Sequence, residues 1–185
     1  IPRCTSIPGS YSSGIIPILK LVMHPTQSVH VLEQAIWLIG NIAGDGHIFR
    51  DLVLRAEIVP LMLALLAPDS TPPPVKLVRT TIWALSNLCR GRPFPHMQLV
   101  APILPIIVRF LESGDEVTRT DCCWCISYLT DGGRDRISQV LAVGVAPLLV
   151  KMVQRAQTET EITPVLRALG NIVTGESDQT QAVLE

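Results

Sequence analysis

An excess of basic residues, strand-like alternation and long apolar runs are all missing from this chain. Its 15 Lys and Arg are balanced by 16 Asp and Glu, giving a net charge of −1. This balance does not draw the chain to phosphate backbones, so nucleic acid is not expected as a partner. No uninterrupted apolar run reaches the roughly 18–20 residues needed to cross a bilayer. The opening IPRCTSIPGSYSSG also lacks the pattern of a signal peptide, so no membrane association is expected.

Charged and aromatic residues are scarce, at 17% and 4%, whereas hydrophobic residues make up 48% of the chain. This composition supplies a sizeable core and carries too little charge for disorder. Three of the five cysteines, Cys122, Cys123 and Cys125, crowd into one short segment and are poorly placed to pair with each other. Reduced thiols in an intracellular protein are therefore expected.

Apolar residues recur at three- and four-residue spacing, which predicts helices. Turn-forming clusters rich in Gly, Pro, Asp and Ser interrupt them at 43–47, 67–74, 90–96, 112–116, 131–135 and 174–178. The intervening helices are too short for a coiled coil. An all-α fold is predicted.

A pair of residues four apart recurs along the chain, and such residues share one face of a helix. The pairs are Trp37 and Asn41, Trp83 and Asn87, Trp124 and Tyr128, and Arg167 and Asn171. Their first members are separated by 46, 41 and 43 residues. A period of forty-odd residues is typical of stacked helical repeats, and one pair per repeat predicts a groove.

The units align as three-helix repeats whose third helix carries the pair, at 28–43, 74–90, 116–130 and 160–174. Opening helices are predicted at Ile48–Ala56 and Ile137–Val143, and Pro60, Pro102 and Pro147 suit the first turns of second helices. Residues 1–14 are predicted to be irregular. An array over 15–185 divides at 15–44, 45–91, 92–131, 132–175 and 176–185. Because polar capping repeats are not evident, truncation at both ends is expected.

Helical geometry predicts which side of each third helix is buried. The predicted core stripes are Ala35, Leu38, Ile39 and Ile42 in the first unit, and Ile82, Leu85 and Cys89 in the next. Glu33, Trp37 and Asn41 fall opposite, and Trp83 and Asn87 lie away from their stripe. An asparagine buried beside each tryptophan would carry an unpaired polar group, so this face is predicted to be exposed.

Such a face suits an extended peptide. Asparagine amides offer a donor and an acceptor to a peptide main chain. Spaced indole rings leave slots for the stems of Lys or Arg, with a cation–π contribution of about 0.5–2 kcal/mol. Glu33, Asp45, Asp121 and Asp131 are candidate acids for the charged head groups.

Four motifs extend this interpretation: EQAIWLIGNIAGDGHIFRDLV, TTIWALSNLCR, CCWCISYLTDG and LRALGNIVTG. Together they resemble the importin-α family of armadillo-repeat nuclear import adaptors, in its third through sixth repeats. The resemblance implies a right-handed armadillo solenoid that shuttles between cytoplasm and nucleus. It also implies binding of nuclear localisation signals, which are extended Lys- and Arg-rich segments.

The resemblance assigns roles to individual residues. Trp37 and Trp83 would flank a slot for a basic side chain, Asn41 and Asn87 would grip the peptide backbone, and Asp45 would pair with the most demanding lysine. Arg167 would interrupt the basic track. Asp121 and Tyr128 would contact a linker between two sites, and Asn171, Val173 and Thr180 would edge the second site. Trp124, Arg90 and Glu33 complete the predicted peptide-binding set. Importin-β is implied as a partner, but the family's segment that binds it is not found in this sequence, so weakened recognition without transport competence is expected.

Cys122 and Cys125 have C-x-x-C spacing without a second pair, and His24, His30, His47 and His96 lie in separate turns, so neither catalysis nor a metal or other cofactor is expected. A different armadillo or HEAT scaffold for a protein partner is the alternative. A β-catenin-like groove would favour acidic ligands, and exposed apolar ends would favour self-association.

Overall fold

The computed structural model describes residues 14–24, 26–67 and 72–184, and every regular element in these ranges is helical. The irregular segment predicted for 1–14 lies, apart from its last residue, outside them. The helices are α1 Ile15–Val22, α2 Val29–Gly44, α3 His47–Arg55, α4 Ile58–Ala64, α5 Val75–Cys89, α6 Met97–Val100, α7 Leu104–Ser113, α8 Glu116–Thr130, α9 Arg134–Leu141, α10 Val145–Arg155, α11 Glu159–Val173 and α12 Ser177–Leu184. A 3-10 turn, Ala101–Ile103, joins α6 to α7.

Four long helices, α2, α5, α8 and α11, are the predicted third helices, and each predicted boundary is confirmed to within one residue. They pack side by side in chain order. Three begin at side-chain caps: the side chains of Ser28, Asp115 and Thr158 accept backbone N–H groups of the first turn. The fourth, α5, follows Pro74 instead, whose fixed φ suits a chain entering a helix.

The shorter helices agree with the sequence less closely. The first of them, α3, begins one residue before the predicted Ile48, whereas α9 begins at Arg134, three residues before the predicted Ile137. Pro60 and Pro147 are the third residues of α4 and α10, and Pro102 lies in the 3-10 turn. All three prolines therefore occupy first turns, where a missing N–H leaves no helical bond unmade.

The core is one continuous cluster of buried apolar side chains drawn from successive helices. On α5 the predicted stripe of Ile82, Leu85 and Cys89 is confirmed as buried. On α2 the prediction was partly wrong, because Leu38 and Ile42 are only half-buried. The buried apolar stripe there consists of Leu32, Ala35, Ile36, Ile39 and Ala43.

A buried arginine shapes the loop at 90–96, which precedes the four-residue helix α6. Arg50 is fully buried and paired with the Asp51 carboxylate at 2.7 Å. Its N–H groups also donate to the carbonyl oxygens of Arg90 at 2.9 Å, Gly91 at 3.2 Å and Pro93 at 2.8 Å. Because a buried guanidinium must have its donors satisfied, these bonds fix the loop and with it the end of α5.

Among the described residues, no single helix has the length and apolar character to span a bilayer. The bent pair α9 and α10, with an 80° angle between its helices, reaches that length and composition only when the two are taken together.

Candidate functional site

Trp83 of α5 lies against Gly40 of the neighbouring helix α2. A Cβ atom placed on Gly40 would be 2.3 Å from Cζ3 of the indole and 2.9 Å from Cη2. Only glycine leaves room for a ring this close to the helix backbone. Trp83 is therefore half-buried and packed against the core, which corrects the prediction that it stands clear of the interior.

Asn87, one turn after Trp83, also contacts Gly40. Its Nδ2 donates to the carbonyl oxygen of Gly40 at 3.2 Å, and only 7% of the residue is exposed. The prediction of an exposed Asn87 was wrong, because the cost assumed for a buried amide disappears once the amide is paired. Its Oδ1 accepts no hydrogen bond from the described residues.

Trp37 and Asn41 lie on the exposed face of α2, as predicted. Trp37 is 55% exposed, and the Nδ2 of Asn41 donates to the Trp37 carbonyl oxygen of the same helix at 2.9 Å. Asp45 caps the end of this helix and is exposed. It has no ion pair within the part of the chain that the structure describes.

A solvent-facing pocket of about 350 Å³ brings five of the predicted site residues together. It is lined by Gly40, Asn41, Gly44, Asp45, Trp83, Asn87 and Arg90. Arg90 extends along one side, where its Nη2 donates to the Gly44 carbonyl oxygen at 3.1 Å. The pocket thus combines amide groups, an indole wall and one carboxylate, with a guanidinium at its rim.

The second half of the array repeats the asparagine contact. The Nδ2 of Asn171 on α11 donates to the carbonyl oxygen of Ser127 on α8 at 2.9 Å. Ser127 follows Trp124 by three residues, as Gly40 follows Trp37. We call each pair on a third helix, the Trp or Arg and the Asn or Tyr four residues later, a rung.

The α8 rung and the Arg167 side chain differ from the pattern at Trp83. Trp124 and Tyr128 stack on each other with ring centroids 5.8 Å apart and 24° between the planes, and both are half-buried. Tyr128 stands where the other rungs have asparagine. Arg167 is exposed, so an exposed cation occupies the tryptophan position of the α11 rung.

Several predicted acids are occupied by the protein's own bases. Glu33 is only 6% exposed, and its carboxylate lies 2.8 Å from the Lys76 ammonium group. The prediction of Glu33 as an exposed rim acid was therefore wrong, since the position on the helix face did not reveal Lys76 above it. Asp131 pairs with Arg92 at 3.3 Å. Asp45 remains as the exposed acid of the pocket.

Asp121 and Asp115 of the α8 region titrate in opposite directions. Burial, and then the charge of Asp115, raises the pKa of Asp121 to about 6. Burial alone would also raise the pKa of Asp115, but hydrogen bonds from Thr118 and Arg79 outweigh it and lower that pKa below its usual value. Asp121 is thus a half-buried acid whose negative charge the fold disfavours.

The remaining predicted residues lie at the end of α11 and in α12. Val173 is 43% exposed, and the Oγ1 of Thr180 donates to its carbonyl oxygen at 3.4 Å. Residues 14–24, 26–67 and 72–184 contain no group of three or more His, Cys, Asp or Glu side chains placed to hold a metal ion.

The sequence analysis did not identify the small residues against which the site side chains pack. Gly40 and Ser127 carry the asparagine contacts, yet neither was a candidate. The signal was present, because each first member of a pair is followed three residues later by a small residue: Gly40, Ser86, Ser127 and Gly170. Small residues on a helix face permit a neighbouring element to approach closely.

Comparisons with solved structures support the same architecture. A designed armadillo repeat protein, YIII(Dq.V1)4CPAF in complex with peptide (KR)4, matches with a TM-score of 0.78 at 22% identity, over 92% of this chain and 69% of the designed one. A computationally designed armadillo repeat protein for modular peptide recognition matches with a TM-score of 0.81 at 19% identity, over 91% and 69%. At these identities the likeness shows the armadillo fold.

Sequence comparisons agree with this architecture and add a family likeness. Residues 95–131 match the Armadillo/beta-catenin-like repeat. Importin subunit alpha-1b of Oryza sativa subsp. japonica is 42% identical over 175 residues, 94% of this chain and 32% of that protein. Importin subunit alpha-2 of Arabidopsis thaliana is 42% identical over 142 residues, 76% and 26%. The chain spans about a third or less of the length of these relatives. Over most of its own length it is similar to importin-α subunits.

Proposed function

We propose that this chain binds extended Lys- and Arg-rich peptides of the nuclear localisation signal type along the faces of α2, α5, α8 and α11. The observation that carries the proposal is the pocket where Asn41, Asp45, Trp83 and Asn87 converge. It joins groups for a peptide backbone, an aliphatic stem and a positive charge within one concavity.

The amides of the groove are held in place by the protein's own main chain. The Nδ2 groups of Asn41 and Asn87 each donate one hydrogen bond to a main-chain carbonyl oxygen. This fixes each amide and leaves its Oδ1 and its second N–H to bond the main chain of a ligand. Main-chain recognition of this kind is independent of the peptide's side chains.

The charge around the pocket selects the side chain. The exposed Trp37 and the half-buried Trp83 offer ring surfaces to a methylene stem, and Asp45 offers a carboxylate that no described base neutralises. The Arg90 guanidinium, which donates to the carbonyl oxygen of Gly44, is the other charged group of the pocket and repels a cation. A lysine or arginine head group is therefore directed toward Asp45, and an acidic side chain is repelled from that end.

Farther along the groove we assign the roles that the sequence suggested. The Arg167 guanidinium replaces an indole, and a cation there repels a basic ligand side chain, so it separates two basic tracks. Trp124, Tyr128 and Asp121 lie between Arg167 and the Asp45 pocket in chain order and suit a linker segment. Asn171, Val173 and Thr180 then form the edge of a second site.

The family supports this assignment at a coarser level. The relatives are named importin subunit alpha, and the designed protein with (KR)4 indicates that an armadillo fold can accommodate a basic peptide. Cargo recognition and shuttling between cytoplasm and nucleus are part of the proposal, because the chain spans only about a third of its relatives.

A titration with a fluorescent lysine-rich peptide tests the proposal, with fluorescence anisotropy as the readout. We expect saturable binding that weakens with salt and with Asp45→Asn, because the variant removes the exposed carboxylate of the pocket. An acidic peptide of equal length is the control ligand. Absence of basic-peptide binding at high micromolar concentration, or preference for the acidic peptide, would instead favour a different armadillo scaffold.

A further inference from the structure

We infer that Cys89 and Cys125 form an oxidisable pair that can cross-link α5 to α8. Their Sγ atoms lie 3.4 Å apart, with the Cys125 thiol donating to Cys89, and both residues are fully buried. The two sulfurs come from neighbouring third helices. A disulfide between them would join two successive repeats.

The sulfurs need little movement to react. A disulfide bond is about 2.05 Å long, so closing the gap requires roughly 1.4 Å of approach. Cys122, one turn before Cys125 on the same helix, is equally buried. No thiol contact of Cys122 across to α5 is found among the described residues, and Cys123 instead lines a small pocket with Met152 and Val165. Proximity across the helix interface therefore selects Cys89 and Cys125.

The environment of the pair determines which oxidants reach it. The hydrogen bond from Cys125 to Cys89, and then burial, raises the pKa of the Cys125 thiol well above its usual range. Since the thiolate is the reactive form, the pair reacts slowly and is not a nucleophilic catalytic site. A small uncharged peroxide can enter a packed core during its fluctuations, whereas a bulky disulfide oxidant is excluded.

The reaction with hydrogen peroxide balances without another reactant. One sulfur attacks a peroxide oxygen, the O–O bond breaks, and a sulfenic acid and one water form. The second sulfur then attacks the sulfenic sulfur, the S–O bond breaks, and the disulfide and a second water form. Two thiols and one peroxide give one disulfide and two waters, with the two thiol protons retained in the waters.

The bond would tie together two rungs. It would connect α5, which carries Trp83, to α8, which carries Trp124, and close a loop between residues 36 positions apart. Constraining the unfolded chain in this way is expected to raise the thermal midpoint by about 5–10 °C for a chain of this size.

Oxidation of the whole 185-residue chain tests the inference. Accessible thiols are first blocked with N-ethylmaleimide in the folded protein, hydrogen peroxide is added and then removed with catalase, and the denatured protein is alkylated with iodoacetamide. Tryptic peptides 80–90 and 120–134 are then sequenced by mass spectrometry. We expect a cross-link between them through Cys125, together with a higher thermal midpoint that dithiothreitol reverses.

Cys125→Ala and Cys89→Ala should each abolish the cross-link, whereas the matched control Cys122→Ala should retain it. Circular dichroism establishes that each variant is folded, and two variants on different helices keep the test decisive if one fails to fold. A bond through Cys122 or Cys123 would overturn the inference. So would the absence of any bond when the folded protein is held in hydrogen peroxide until the thiols of Cys89 and Cys125 are no longer recovered by alkylation.

Discussion

The α2–α5 and α8–α11 helix pairs share one contact and differ in what lies beside it. In both, an asparagine of the later helix donates to a carbonyl oxygen of the earlier one, Asn87 to Gly40 and Asn171 to Ser127. The first pair places an indole on glycine, whereas the second presents the exposed Arg167. Packing of the third helices thus fixes the amide, and the residue four positions earlier sets the chemistry of each rung.

Removal of the buried guanidinium of Arg50 should give the largest effect. Arg50→Ala leaves three loop carbonyl oxygens and the Asp51 carboxylate without their donor, so we expect a loss of about 3–5 kcal/mol in the free energy of unfolding. Urea denaturation measures it. The control in the second half, Arg134→Ala, removes an exposed ion pair of 3.9 Å and should cost less than about 0.5 kcal/mol. Equal losses would contradict the role given to Arg50.

Substitution of the helical glycines by alanine should change the stability of the chain in opposite directions in the two halves. Gly40→Ala places a Cβ atom where the Trp83 ring packs and displaces the ring. We therefore expect a loss of about 1–3 kcal/mol in the free energy of unfolding and weaker peptide binding. Gly170 holds the matching position on α11, and an added Cβ there meets nothing within 4 Å. Gly170→Ala should therefore stabilise the chain by about 0.5–1 kcal/mol. Thermal denaturation of both variants decides, and destabilisation by Gly170→Ala would refute the comparison.

The two tryptophans of the first half should differ in what they contribute to folding. Trp83→Ala vacates packed volume against Gly40 and the core, and we expect a stability loss of about 2 kcal/mol. Trp37→Ala removes a largely exposed ring and should cost less than about 1 kcal/mol. Both should weaken binding of a lysine-rich peptide about tenfold, through lost ring contacts. Urea midpoints and peptide titrations measured on the same samples test this, and equal stability losses would count against it.

A pH-dependent effect at Asp121 should be the smallest. Because the folded-state pKa, about 6, lies above the usual value, the charged form destabilises the fold: the cost is absent below about pH 4, grows from pH 4 to 6 and is complete above that. Asp121→Asn should therefore stabilise the chain by about 1 kcal/mol at pH 7.5 and have no effect at pH 4. Urea midpoints at both values measure the difference.

Asp115→Asn is the matched control, with the opposite sign. The lowered pKa of Asp115 means that its charge stabilises the fold above its usual pKa, and that this contribution is lost as pH falls through the lowered value. Asparagine retains the helix cap, so the variant isolates the charge. It should destabilise at pH 7.5, and the same sign for both variants would refute the electrostatic account.

The sequence predicted the helices better than it predicted the surroundings of their side chains. The third helices followed from the apolar periodicity and from the turn-forming clusters between them, because both signals are local. The opening helix α9 did not, since the start at Arg134 follows an extended glycine, Gly133, that the apolar pattern does not mark.

The site divides in the same way. Trp37 and Asn41 are exposed as the helical face predicted, because their surroundings are set by their own helix. Asn87 and Glu33 are buried because of partners about 40 residues away, Gly40 and Lys76. A single helical face cannot show that a neighbour will supply a hydrogen bond or a counter-charge, so the sequence alone could not assign their burial.

The packing of Trp83 on Gly40 bears on where one repeat of such an array ends and the next begins. The surface on which the Trp83 ring lies belongs to the preceding unit, so the residues that would contact a ligand here come from two structural repeats. Two arrays with an identical unit will present its ring differently when the preceding unit differs. A chimaera of two arrays will therefore keep the specificity of the downstream unit only if the two sequences are joined within the preceding third helix, before its small residue. A junction at the turn between units would separate the ring from the residue on which it packs.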